Sequence, residues 1–163
     1  MSTPTIINIA DHITAEKLTR EELLTRYAAG ERVFTGANLR GVGLANVNLI
    51  GADFSNANLT GADLTGANLW GARFTHATLA NARMAHVDAR RAIFAGAALR
   101  GADLTDALLI GANLNGADLR GATFTGANLY CALLDEEVLH SAALAGARVY
   151  DPALGAERYA VRA

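Results

Sequence analysis

Little in this chain could cross-link it, carry it through a membrane or give it a strong charge of one sign. It has a single cysteine, Cys131, so no internal disulfide is possible. Aromatic residues supply only 6% of the sequence, and alanine makes up much of the 52% hydrophobic content, so a thin core is expected. The formal net charge of −2 advertises neither nucleic acid nor an anionic membrane as partner. No apolar run approaches the roughly 18 residues that a membrane-spanning helix needs. The start, MSTPTIINIADH, lacks the basic stretch and apolar core of a secretory signal. These absences lead to the expectation of a soluble, cytoplasmic protein, and the 163 residues suit one domain.

What the chain has in abundance is a period of five. Stepping by five from Phe34 to Leu134 meets 21 positions without a slip: 14 Leu, 5 Phe, Met84 and Ala89. Two residues before each of these centres, from Ala37 to Ala132, stand 17 Ala and 3 Val (Val42, Val47, Val87). Two residues after the centres, from Gly36 to Gly126, 12 of 19 positions are Gly, and Asn, His and Asp take most of the rest. The position just before each centre favours Asn and Asp.

One geometry accounts for these preferences. The large centre and the small Ala point inward, and the Gly/Asn/His/Asp position adopts positive φ, which those residues tolerate best. Leu64-Thr65-Gly66-Ala67 then fits a type II turn with Gly third. A near-right-angle corner every five residues closes a ring after four pentads. Rings must stack, because one alone cannot bury its centres. Residues 20 apart should therefore share a column. Phe34, Phe54, Phe74 and Phe94 do so, followed by Leu114 and Leu134, and Leu39, Leu59, Leu79, Leu99 and Leu119 form the next column.

The segments ANLTGADLTGANLWGA (57 to 72) and GANLNGADLRGATFTGANL (111 to 129) resemble the pentapeptide repeat family, whose motif is A(D/N)LXX. The resemblance covers roughly residues 34 to 134. It implies an all-β solenoid, a right-handed quadrilateral parallel β-helix of tandem pentapeptide repeats with Leu/Phe and Ala inside. About five rings at the ~4.8 Å strand spacing make a rod about 25 Å long. Most members of the family have no assigned function, so the resemblance speaks to fold more than to role.

Three regions follow. Residues 1–30 form an N-terminal segment with a short capping α-helix. Thr19 and Glu22 read as a capping box, Leu18 and Leu23 as a hydrophobic staple, and Gly30 as the stop of a helix over 20–28. Ile6, Ile7 and Ile9 suggest an extended segment before it. Residues 31–134 are the β-helix. Residues 135–163 are degenerate repeats, or a C-terminal cap and tail. Glu136 to His140 read either as the distorted side of a sixth ring centred on Leu144 and Val149 or as a capping helix.

Several positions break the pattern. Ala89 is the one undersized centre, with Val87 offsetting part of the lost volume. Arg91 occupies a Gly/Asn corner, which predicts another turn type there. Arg73, Arg83, Arg90, Arg91 and Arg100 fall on different faces and make a belt rather than a patch. Asp63, Arg83 and Asp103 form an outward charge ladder of small individual worth.

One outward column holds Ile50, Trp70, Arg90, Ile110 and Tyr130, with Leu108 beside Ile110. Elsewhere that position is mostly Thr, Ser, Ala, Arg or Asn. A strip with the only Trp, two Ile and a Tyr is a candidate interaction surface.

No catalytic constellation emerges, and no cofactor or metal is expected. His76 and His86 are ten residues apart, hence on opposite sides of a four-sided ring, and read as turn residues. Cys131 sits at a turn position. The carboxylates are spread around the rod. Gly41-Val42-Gly43 belongs to the repeat, since no strand-to-helix junction follows it.

The expected function is that of a non-enzymatic scaffold binding an unknown protein partner, a second copy included, with no direct nucleic-acid binding and no membrane. The resemblance also brings an alternative. Quinolone-resistance relatives are dimeric rods that resemble duplex DNA in charge and bind DNA gyrase. Mimicry needs dense negative charge, because DNA carries one charge per ~1.7 Å of axis. Residues 34–134 hold six acids and seven arginines, a net of +1 with His neutral, which counts against that alternative.

Overall fold

A computed structural model describes residues 17–139, 144–151 and 156–159. The suggested extended segment at Ile6, Ile7 and Ile9 lies outside the described residues, as does His140.

The five-residue period produces a corner at each expected place. The residue two after each centre has positive φ, from Gly36 at 70° to Gly126 at 73°, and the non-glycine corners Asn46, Asn56, His76, Asn81, His86 and Asp106 lie between 55° and 60°. A hydrogen bond closes nearly every turn; the Ala67 amide donates to the Leu64 carbonyl at 2.9 Å. Arg91 does not adopt a different turn. Its φ is 58°, its amide donates to the Ile110 carbonyl at 3.0 Å, and Ala92 donates to Ala89 at 3.1 Å. Bonding to the next coil overrides the local preference of a long side chain.

Consecutive coils pair through parallel bridges 20 residues apart. Four ladders result. One runs Val33, Asp53, Arg73, Ile93, Asn113, Leu133, and another Asn48, Asn68, Asp88, Leu108, Asn128. Of the other two, one runs from Lys17 through Asn38 and the other starts at Gly43. Corner amides also bond upward, as Gly51 does to the Trp70 carbonyl at 2.9 Å. Few residues form extended strands because each side contributes a single bridged residue before the chain turns.

Inside the ladders, the centres and the alanines are almost all buried, and no polar or charged residue is buried with them among the described residues. Phe34, Phe54, Phe74 and Phe94 stack with ring centroids 5.5, 5.3 and 5.0 Å apart. This spacing follows the ladder rise and lies within the range of favourable ring pairs. The undersized Ala89 and its neighbour Val87 are both fully buried.

The N-terminal helix α1 spans Arg20–Ala28. Thr19 accepts a hydrogen bond from the Glu22 amide, and the Glu22 carboxylate accepts one from the Thr19 amide, the reciprocal capping box. At the other end the Gly30 amide donates to Tyr27 and the Glu31 amide to Arg26, both at 3.0 Å. With Gly30 at φ 96°, this is a Schellman stop. Leu23 is buried in the core, and Leu18, Leu24 and Tyr27 pack against it. Arg20 donates to the Gly43 carbonyl at 2.6 Å and Tyr27 to the Ile50 carbonyl at 3.0 Å, tying α1 to the first coil.

Beyond the last full coil, elements of both kinds occur. Helix α2, Glu136–Leu139, is a single turn. Strand β2, Arg148–Asp151, then pairs in parallel with β1, Asn128–Leu129, again in a register of 20, while Leu144 and Ala147 are buried. Strand β3, Ala156–Tyr159, pairs antiparallel with β2. Asp135 accepts a hydrogen bond from the Gly116 amide at 2.7 Å, so a side chain satisfies a corner amide there.

Removing one ring from the phenyl stack should be costly, because its neighbours above and below cannot close the gap. Phe74→Ala is expected to lower the unfolding free energy by about 3–5 kcal/mol. Urea denaturation followed by circular dichroism measures this; a loss below about 1 kcal/mol would show that the ring is not tightly packed.

Candidate protein-interaction face

The side of the rod carrying the Asn48–Asn128 ladder is built from the same backbone rule as the others, with different side chains. The column two residues on from this ladder is Ile50, Trp70, Arg90, Ile110 and Tyr130. Trp70 and Tyr130 are each 41% exposed, Leu108 39% and Ile50 36%, while Ile110 is half-buried. The structure therefore brings the expected strip residues onto one side in successive coils.

A local hydrogen bond explains why Asn and Asp precede the centres. Their Oδ1 accepts the amide two residues on, an Asx turn that holds the outward residue in place. Along the strip, Asn48 accepts from Ile50 at 3.3 Å, Asn68 from Trp70 at 3.2 Å, Asp88 from Arg90 at 3.3 Å and Asn128 from Tyr130 at 3.1 Å. Leu108 takes the fifth of these positions, replacing the Asx group by a second exposed apolar side chain. The Asn/Asp preference was visible in the sequence; its role in fixing the strip was not.

The two arginines beside each other on this face differ in state. Arg90 makes a two-pronged contact with Asp88, Nε to Oδ1 at 2.8 Å and Nη2 to Oδ2 at 2.6 Å, and the two charges cancel. Arg91 reaches back instead, with its guanidinium 5.9 Å from the Trp70 ring centroid. No carboxylate among the described residues forms an ion pair with it. This cation–π contact between coils, and the Tyr27 hydroxyl on the strip's first carbonyl, were not apparent from spacing alone.

Elsewhere most repeat acids are matched. Arg73 lies 3.7 Å from Asp53, Arg83 3.3 Å from Asp63, and Arg120 2.6 Å from Asp118. The hydrogen bonds from Arg120 lower Asp118 to about 2. His76 and His86 hold corner conformations, and His86 lies 3.8 Å from Asp106. Cys131 is exposed, with φ 55°. Among the described residues no group of three or more His, Cys, Asp or Glu side chains could hold a metal ion, and no helix is long and apolar enough to cross a membrane.

Stacked coils with a corner every fifth residue and flat outward faces define a class of repeat proteins. Pentapeptide repeats match the sequence in 8 copies over residues 33–71, 67–106 and 102–136, and the chain belongs to the pentapeptide repeat family. Members of this family adopt a right-handed quadrilateral β-helix. HetL from the cyanobacterium Nostoc sp. strain PCC 7120, involved in heterocyst differentiation regulation, is 35% identical with a TM-score of 0.68, over 71% of this chain and 53% of HetL. The chain thus spans about half the length of that relative. Rfr23 from the cyanobacterium Cyanothece 51142 is 30% identical with a TM-score of 0.66, over 78% of this chain and 93% of its own. A thylakoid-lumen member from Arabidopsis thaliana is 29% identical with a TM-score of 0.55, over 69% and 75%. No curated protein matches the sequence.

The Asp88 carboxyl is held below its ordinary value first by the hydrogen bonds from the Arg90 side chain. A depressed carboxyl contributes stability above its unfolded value of roughly 3.9 and loses it as pH falls through the folded value. Arg90→Gln should raise the Asp88 midpoint, measured by carboxyl-carbon NMR titration. An unchanged midpoint would mean that the guanidinium does not hold the carboxylate in solution.

Proposed function

We propose that this chain is a non-enzymatic scaffold: a right-handed quadrilateral β-helix, closed at its N-terminal end by α1, that binds a protein partner through the Ile50–Tyr130 face. The handedness rests on family membership. The closure by α1 is supported by Leu23 in the core and by the bonds from Arg20 and Tyr27 to the first coil. The observation that carries the binding role is the composition of one outward column. Three aromatic or branched apolar residues besides Leu108 are at least a third exposed on a single flat side, each held by an Asx turn. Buried aromatic and arginine anchors dominate binding energy at protein interfaces, and this face offers both kinds of side chain.

HetL's involvement in heterocyst differentiation regulation supports a regulatory rather than a catalytic reading for the present chain. Cytoplasmic placement is part of the proposal; family members also occur in the thylakoid lumen. The gyrase-binding alternative has less behind it. Asp53, Asp63, Asp88 and Asp118 each pair with an arginine, so these four carboxylates do not present the open anionic array that DNA mimicry requires.

Affinity capture from the native host with wild-type chain and Trp70→Lys tests the scaffold reading. At least one protein is expected on the wild-type chain that disappears with Trp70→Lys, while the two circular dichroism spectra coincide. An identical set of captured proteins on both would assign the strip to ordinary surface.

A further inference from the structure

Charge and spacing on this face narrow the partner's chemistry. Arg90 is cancelled by Asp88, so the guanidinium left over at the centre is Arg91, laid toward Trp70. Arg91 is exposed and sits at φ 58°, a left-handed conformation that carries a steric penalty for a long side chain. The glycines of the same corner column, Gly51, Gly71 and Gly111, take this conformation without that penalty. A second copy facing the strip, parallel or antiparallel in register, would bring Arg91 to the level of Arg91. The charge pattern therefore disfavours self-association and calls for a carboxylate flanked on both sides by apolar groups.

The ladder sets the spacing of those groups. Neighbouring levels lie ~4.8 Å apart, so Ile50 and Tyr130 are about 19 Å apart along the rod. An extended strand offers one face every two residues, roughly 6.6 Å, which falls out of step within two levels. An α-helix rises ~1.5 Å per residue, so its alternating steps of three and four residues advance about 4.5 and 6 Å. Five such positions span about 21 Å, and a tilt of roughly 20–25° brings this to the strip's length, close to a common packing angle.

We infer that the Ile50–Tyr130 face docks an amphipathic α-helix of the partner whose apolar stripe is interrupted at its centre by a carboxylate, which pairs with Arg91. This rests on the scaffold reading and specifies its partner. The apolar residues before the carboxylate lie on Ile50 and Trp70, and those after it on Ile110 and Tyr130 with Leu108. The strip is shorter than a standard interface, so micromolar affinity is expected.

The test uses a labelled helical peptide of about 18 residues, with leucine at the first, fourth, eleventh and fifteenth positions and glutamate at the eighth. A second peptide has lysine at the eighth position. Fluorescence anisotropy with the full chain should show the glutamate peptide binding at least tenfold tighter. Arg91→Glu should reverse that order, and Arg91→Gly, which relieves the strained corner, should abolish the discrimination while raising the melting temperature. Equal binding of the two peptides, an unreversed order with Arg91→Glu, or no binding of either to folded wild-type chain at about 0.5 mM would overturn the inference. A host protein captured in a Trp70-dependent way, with neither peptide bound, would keep the contact face and reject the helix. Trp70-independent capture together with peptide failure would reject both.

Discussion

The positive-φ corner is the constraint on which the rest depends. It turns the chain every five residues, so the inward positions recur at a spacing that neither helix nor extended strand produces. Without it the centres of successive pentads would not face one axis. Corners also carry interactions between coils, since nearly every corner amide bonds to a carbonyl of the next coil, and that of Gly116 to the Asp135 carboxylate instead. A corner glycine is crowded where a polar side chain occupies the corner one coil earlier, as at Gly66, Gly96, Gly101 and Gly126. A Cβ added at Gly66 would lie 2.4 Å from Asn46 Oδ1, and one at Gly126 only 2.0 Å from Asp106 Oδ1. A polar corner side chain leans over the corner of the following coil, and glycine there gives it room.

Stacking makes a thin core sufficient. Each coil contributes four centres and four small partners, and its two open faces are covered by the coils above and below. The phenyl column shows how the chain uses this. Rings 5.0 to 5.5 Å apart lie near the ladder rise, so the same residue type can repeat without clash or void. The irregular centre Ala89 is accommodated in the same regime, with Val87 from the same pentad buried beside it.

Much of this was legible because the backbone rule acts on residue type directly. Glycine, asparagine and histidine at one phase mark the corners, leucine and phenylalanine at another mark the axis, and a spacing of 20 in the phenylalanines marks four sides. The α1 boundaries were equally readable, since Thr19, Glu22 and Gly30 each satisfy specific end groups of the helix. Arg91 departs from the turn its residue type predicts because local tolerance does not decide the corner: hydrogen bonds to the next coil and across its own turn hold it at φ 58°. The face itself was legible as a column of names. Its electrostatics were not, because the pairing of Arg90 with Asp88 and the reach of Arg91 toward Trp70 depend on rotamers that spacing does not encode.

That distinction bears on how a rigid repeat acquires a specific surface. The backbone of every side is nearly the same, so identity is written only in the outward columns and in the corners that border them. A corner occupied by arginine costs conformational energy that glycine would avoid. Arg91 bears this cost at the level where the apolar strip is interrupted, and its side chain lies toward the one tryptophan of the sequence. Arg90, one residue earlier in an unstrained position, is already neutralised and adds no net charge to the face. A charge placed at a strained corner beside a neutral pair is an inefficient way to improve solubility. It is an effective way to set one fixed cation among apolar contacts on a flat surface, because the solenoid prevents the corner from relaxing and the indole restrains the guanidinium.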